Sequence, residues 1–192
     1  MLKYKMNNFF EKNKNILIKL LNDFSYDQLL ECANVFKKYK NNKKNKIIFF
    51  GNGGSASICN HVSVDLSKNA KVKATTFNEA NLITCLSNDY GHDKWMMEAL
   101  KIHCEKNDLV VFVSSSGNSK NIVNAARWCK QKKIKIVTFT GFSKNNLLNR
   151  INKNGLSLWV NSKAYNHVEM CHLYFLLAIV DFIIGRLVYK FN

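Results

Sequence analysis

Two short stretches of this chain hold the side chains best suited to chemistry. In "IIFFGNGGSASICNHVSVDL", residues 47–66, an apolar run meets Gly51, Gly53, Gly54 and Ser55, and then a segment carrying His61 and Asp65. Four residues apart on a helix, His61 and Asp65 share one face, where an imidazole and a carboxylate can exchange or hold a proton. In "SSSGNS", Ser114, Ser115, Ser116 and Ser119 place hydroxyls around a second turn. Glycines let a ligand approach the backbone closely, with Gly53 central to the first turn, and Ser55 is expected at the N-cap of the helix that follows. Hydroxyls beside the free N–H groups of helix N-termini bind a phosphate without a fixed cation. Either loop alone also reads as an ordinary capped turn. The Gly-Lys-Ser/Thr ending of a P-loop is absent, which argues against a nucleoside triphosphatase, and the Gly-x-Gly-x-x-Gly fingerprint is incomplete.

The elements that must position these loops follow from hydrophobic period. Residues 8–22 and 27–40 have helical spacing (Phe9, Ile16, Leu17, Leu20, Leu21, then Leu29, Leu30, Ala33, Phe36). Residues 47–51, 109–114, 134–141 and 156–160 are apolar runs of strand length, with a weaker strand at 73–77. Helices are expected at 55–67, 79–88, 93–104 and 118–133, the last with a lysine-rich final turn suited to its dipole. The segment 166–190 reads as one long apolar helix. Buried strands alternating with helices predict an open parallel α/β sheet, in which ligands bind beyond the carboxyl ends of the strands. Both unusual loops fall at such ends. The expected organisation is one domain over residues 1–192, with an N-terminal helical segment (1–45) and an α/β core plus C-terminal helix (46–192).

Composition sets the outer bounds. The 192 residues, 47% of them hydrophobic, can bury a sizeable core. The formal charge is +16, yet Arg127, Arg150 and Arg186 are the only arginines. Arginine is the usual reader of bases and clamp of phosphates, so the lysine excess reads as a solvated surface and no nucleic-acid partner is expected. The six cysteines (Cys32, Cys59, Cys85, Cys104, Cys129, Cys171) form no Cys-x-x-Cys pair and read as reduced, mostly buried thiols of a cytoplasmic protein. No signal peptide is apparent. In the C-terminal helix the clean apolar run, Leu173–Val180, is eight residues, far short of a membrane span, so no membrane association is expected and the helix is expected to be buried in an oligomer.

With "GNGGSA", "NDYG" at 88–91, "SSSGNS" and "IVTFTG" in this order and spacing, the chain resembles the sugar isomerase (SIS) domain family, and within it the phosphoheptose isomerase group, over residues 8–190. The resemblance implies a flavodoxin-like parallel sheet flanked by helices. It also implies a homotetramer with sites between subunits, and a sugar phosphate ligand. In that group an acidic residue and a histidine isomerise sedoheptulose 7-phosphate through an enediol, beside a further histidine and a glutamine, and these four side chains hold zinc in some members. His61 and Asp65 match the first-helix histidine and acid, the acid shortened from glutamate. On the C-terminal helix Glu169 falls at the glutamine, His172 at a motif histidine, and Asn166 at an acidic sugar contact. The catalytic histidine is replaced by Leu177. By this resemblance Ser55, Ser114, Ser115, Ser116 and Ser119 hold phosphate with Gly53, and Asn52, Asp89 and Asn166 contact sugar hydroxyls. Asp65 and Glu169 are base candidates, with His61 and His172 as their partners. No cofactor is expected: His61, Asp65 and Glu169 are able to bind zinc, but the fourth ligand is missing. Three outcomes stay open: isomerisation of this sugar with a substitute for the histidine, isomerisation of another phosphosugar, or binding of a phosphosugar or protein without catalysis, as in a tetrameric regulator of bacterial replication initiation that shares the fold.

Overall fold

A computed structural model describes residues 2–188. Two helices, α1 (Leu2–Asn22) and α2 (Tyr26–Lys37), precede a repeating strand–helix pattern: β1 (Ile47–Phe50), α3 (Gly54–Lys68), β2 (Ala74–Thr76), α4 (Ala80–Tyr90), α5 (Trp95–His103), β3 (Leu109–Ser114), α6 (Lys120–Gln131), β4 (Lys135–Thr140), α7 (Leu147–Ile151), β5 (Ser157–Trp159) and α8 (Tyr165–Ile184). The five strands form one sheet in the order β2-β1-β3-β4-β5, and every neighbouring pair is parallel. Ile47 pairs with Leu109 and Leu109 with Lys135, so the three central strands begin level.

Alternation along the strands separates two cores. Ile47, Phe49, Val111 and Val113 face one side with Ile58, Cys59, Val62 and Leu66 of α3 and Cys171, Phe175, Leu176 and Ile179 of α8. Ile48, Phe50, Val110 and Phe112 face the other with Trp95, Met96, Ala99 and Leu100 of α5 and Ile122, Ala125, Ala126 and Cys129 of α6. β1 and β3 are buried at every position, which is why they read as unbroken apolar runs. From β1 the chain first builds the edge strand β2 and then returns past β1 to start β3. The winding therefore reverses between β1 and β3, and beyond the carboxyl ends of the strands at such a switch point lies the crevice where open α/β sheets bind ligands. This is the parallel sheet expected, with helices on both faces.

The elements differ from expectation in several places. Helix α1 begins at Leu2, six residues before its expected start. α8 does not run to residue 190. It stops at Ile184, because Gly185 takes a left-handed conformation (φ 86°) and ends the helix although the apolar pattern continues; residues 189–190 lie outside the described residues. The one-turn helix α7 is too short to show a period; Asn146 caps it by accepting the Asn149 N–H. Helix α2 ends at Lys37, three residues before its expected end.

By length and apolarity alone α8 passes for a membrane span, but half of it is buried inside the protein, where Val168, Cys171, Phe175, Leu176, Ile179 and Ile183 pack into the first core. Tyr174 and Phe182 are left exposed. All six cysteines are free; Cys85 is exposed and Cys104 half-buried, and burial pushes the thiols of Cys32, Cys59 and Cys129 up.

Candidate phosphosugar site

The first loop leaves β1 at Gly51. Gly53 is the N-cap of α3, with φ 52°, a conformation that disfavours any side chain. Ser55, expected at that cap, is instead inside the first turn and only 3% exposed. Gly54 has a different reason to be glycine. A Cβ there would fall onto Oε2 of Glu169, whose carboxylate reaches from α8 to the amino end of α3. No acidic residue of its own lies in the first turn of α3, so Glu169 is the negative group nearest that positive dipole end.

The second loop leaves β3 through Ser114 and Ser115, both about 5% exposed, and reaches Ser119, the N-cap of α6. The Ser114 hydroxyl accepts the Gly117 N–H at 3.2 Å, and the Ser116 hydroxyl accepts the Asn118 N–H at 3.2 Å. Both oxygens are thus acceptors within the loop, and their O–H protons remain free to donate. Ser115 Oγ is buried with no partner among the described residues, and Ser119 makes no side-chain capping bond. A buried hydroxyl without a partner is costly unless something else satisfies it. The loop therefore presents unspent donors at a helix start, the arrangement that receives an anionic oxygen.

Asn52 of the first loop faces Asn121 of α6. Each amide donates to the other, at 3.1 Å and 2.9 Å, across the crevice between β1 and β3. Asn121 carried no pattern in the sequence; its partner is sixty-nine residues away.

On the exposed side of α3, His61 Nε2 and Asp65 Oδ2 are 3.2 Å apart, and Asp65 Oδ1 accepts from Asn69 at 3.2 Å. The shared helix face is therefore real. At about 1.5 Å per residue, His61 and Asp65 lie roughly 10 and 16 Å down the axis from Gly54. α3 and α8 pack side by side. While Glu169 meets α3 at Gly54, Asp181 meets it near Asp65: burial, and then the Asp65 charge, raise the Asp181 carboxyl above its ordinary range. The sequence showed Asp181 only as a break in an apolar run. Leu177, one turn earlier, packs on the first core and lines with Asp181 an open cavity of about 650 Å³.

His172 does not stand beside a base. It is fully buried, Nε2 donates to the Thr140 carbonyl at 3.1 Å, and its ring meets Phe139 edge-on. Burial lowers it to about 4, so it is a neutral core residue near neutral pH. Its expected role as a proton partner is corrected: three residues after Glu169 it lies on the buried side of α8. Asn166 is exposed in the first turn of α8, and Asp89, exposed on α4, bonds only to Asn88 and Cys85 of its own helix. Among the described residues neither makes a hydrogen bond to the two loops, although Asn166 stands one helical turn before Glu169. Among the described residues no three His, Cys, Asp or Glu side chains converge, and Leu177 offers no donor, so the side chains of one protomer do not assemble a zinc site.

Residues 8–141 match the SIS domain family. The chain belongs to it. Among relatives of this SIS domain, phosphoheptose isomerase 2 of Campylobacter jejuni is 33% identical over 141 residues, 67% of this chain and 68% of the relative. A phosphoheptose isomerase of Buchnera aphidicola is 28% identical over 181 residues, 88% of this chain and 91% of the relative. In three dimensions, phosphoheptose isomerase from Neisseria gonorrhoeae superposes with a TM-score of 0.84 at 20% identity, over 95% of this chain and 99% of that one. The corresponding protein of Francisella tularensis gives 0.83 at 22% identity, over 95% and 98%. At those identities the structural likeness speaks for the fold.

Proposed function

We propose that this SIS domain is a phosphosugar aldose–ketose isomerase, interconverting sedoheptulose 7-phosphate and a glycero-manno-heptose 7-phosphate through an enediol. The observation that carries the reading is the serine loop. Its hydroxyl protons are unspent at the start of α6, in a chain whose relatives are phosphoheptose isomerases. In this reading Ser55, Ser114, Ser115, Ser116 and Ser119 hold the phosphate, with the backbone at Gly53. Asn52, Asp89 and Asn166 contact sugar hydroxyls.

Isomerisation needs a base that removes the proton from the carbon beside the carbonyl and returns it to the neighbouring carbon. Asp65, oriented by His61 and Asn69, is the first candidate, and Glu169 the second. In this reading, N–H groups at the start of α3 and the Asn52 amide stabilise the enediolate oxygens. Because Leu177 occupies the family's histidine position, proton return falls to the His61–Asp65 pair or to Glu169. The distance of roughly 10–16 Å between that pair and the start of α3 supports a site completed by a neighbouring protomer, in a homotetramer. The exposed Tyr174 and Phe182 of α8 and Phe9 and Phe10 of α1 are the apolar surface available to it. The six free thiols suit a reducing, cytoplasmic setting.

The test is Asp65→Asn assayed for turnover and for binding. Turnover of sedoheptulose 7-phosphate is expected to fall by at least about 10³-fold with binding retained. Wild-type protein that binds heptose and hexose phosphates yet isomerises none of them overturns the catalytic reading and leaves a phosphosugar-binding protein.

A further inference from the structure

The amide pair between Asn52 and Asn121 has an asymmetry that its two reciprocal bonds conceal. Taken alone, such a pair is unchanged if both amides rotate by 180°, since each N–H₂ still meets an oxygen. Here a third bond removes the ambiguity. The backbone N–H of Ile122, in the first turn of α6 where no intrahelical acceptor exists, donates to Asn121 Oδ1 at 2.9 Å. A backbone donor requires an oxygen at that place, so the Asn121 amide has one orientation. Asn121 Nδ2 must then meet Asn52 Oδ1, and Asn52 Nδ2 must meet Asn121 Oδ1. Asn121 is only 4% exposed and its oxygen is fully used. Asn52 is half-buried at the crevice and keeps one N–H and one lone pair.

The two residues also belong to opposite sides of the sheet. Asn52 leads into α3, which packs on the first core, and Asn121 is the second residue of α6, which packs on the second. Their bonds span the point where the winding reverses, between the two loops that leave β1 and β3.

Building on the function proposed above, we infer that Asn121 is a positioning residue: it fixes which edge of the Asn52 amide faces the crevice, so that Asn52 meets the sugar with a preset donor and acceptor. Asn121 itself does not touch the ligand. A sugar phosphate feels the clasp through Asn52, whereas inorganic phosphate, held by the serines, does not.

The experiment is a double-mutant cycle of Asn52→Ala and Asn121→Ala, read by calorimetric titration with sedoheptulose 7-phosphate and with inorganic phosphate. Each single substitution is expected to raise the sugar phosphate Kd about tenfold, the double no further than Asn52→Ala alone, and inorganic phosphate binding to change less than about twofold. If Asn121→Ala does not fold, Asn121→Ser replaces it, keeping a local acceptor but too short to reach Asn52. Singles that multiply in the double mutant, or an Asn121 variant that folds and binds the sugar phosphate as the wild type does, overturn the positioning role. Should the wild type bind no sugar phosphate, the function proposed above falls and the clasp is decided by NMR of the Asn52 side-chain amide. Resonances that move to free-amide positions in the Asn121 variant support it, and unmoved ones overturn it.

Discussion

Strands β1 and β3 meet polar groups at both ends, and the two ends treat them differently. At the amino ends, Asp108 is buried just before β3 and takes three donors: the Lys46 ammonium at 2.7 Å, the Lys46 N–H at 2.9 Å and the Glu105 N–H at 2.9 Å. At the carboxyl ends, Ser115 Oγ is as enclosed but has no partner, and Ser114, Ser116 and Ser119 keep their hydroxyl protons. Burial alone therefore does not tell a polar group that holds the fold from one proposed to hold a ligand. Satisfaction separates the two groups: Asp108 closes its hydrogen bonds within the chain, whereas the serine hydroxyls keep donors that the phosphate site proposed above would use.

The comparison is broken most forcefully at the satisfied end. Asp108→Ala strands a half-buried ammonium and two backbone donors and is expected to cost about 3–5 kcal/mol in urea unfolding. An effect under about 1 kcal/mol removes the contrast.

Next comes His172 at the carboxyl end of β4, whose Nε2 donates to the Thr140 carbonyl while its Nδ1 is buried with no partner among the described residues. Below about pH 6.5 the unfolded chain binds a proton that the folded one refuses until about pH 4. Stability is thus present in full above pH 6.5 and falls as pH drops towards 4, by roughly 3 kcal/mol. Measured by denaturant titration across pH, this loss should disappear in His172→Phe.

Gly54→Ala probes the unsatisfied end. The atoms nearest the added methyl all belong to the tip of the flexible Glu169 side chain, so Tm should shift by no more than a few degrees. Turnover should fall about 10²-fold, as the carboxylate is displaced by about an ångström or more. Unchanged turnover would remove Glu169 from the catalytic machinery.

Ser115→Ala is the smallest and most discriminating change. Deleting an unpartnered buried hydroxyl should leave stability unchanged or raise it by up to about 1 kcal/mol, while weakening sugar phosphate binding about tenfold. Loss of stability instead would mean that the hydroxyl has an internal partner.

The same contrast explains what the sequence disclosed. β1, β3 and β4 were legible because strands covered on both faces are continuous apolar runs, and the loops were legible because glycine and serine crowd at their ends. α7 was not, since five residues hold barely one turn of any period, and Gly185 looked like an interruption rather than a stop because apolar residues follow it. Ser55 was misplaced by two positions because three glycines nearby leave the cap open to several residues. His61 and Asp65 could be paired because they are local partners. Asn121, Asp181 and the burial of His172 were hidden because each depends on a partner on another element.

One consequence follows from the length of α3. The helix is a lever about 22 Å long, pivoted where Glu169 and the first loop grip it, with Asp65 roughly 16 Å out along the arm. A swing of only about 4° moves Asp65 by about 1 Å, a displacement that, for the base proposed above, costs on the order of 10²-fold in rate. In the function proposed above, the angular tolerance of Asp65 is thus set by Val62 and Leu66, the fully buried residues that wedge the far end of the arm against the sheet.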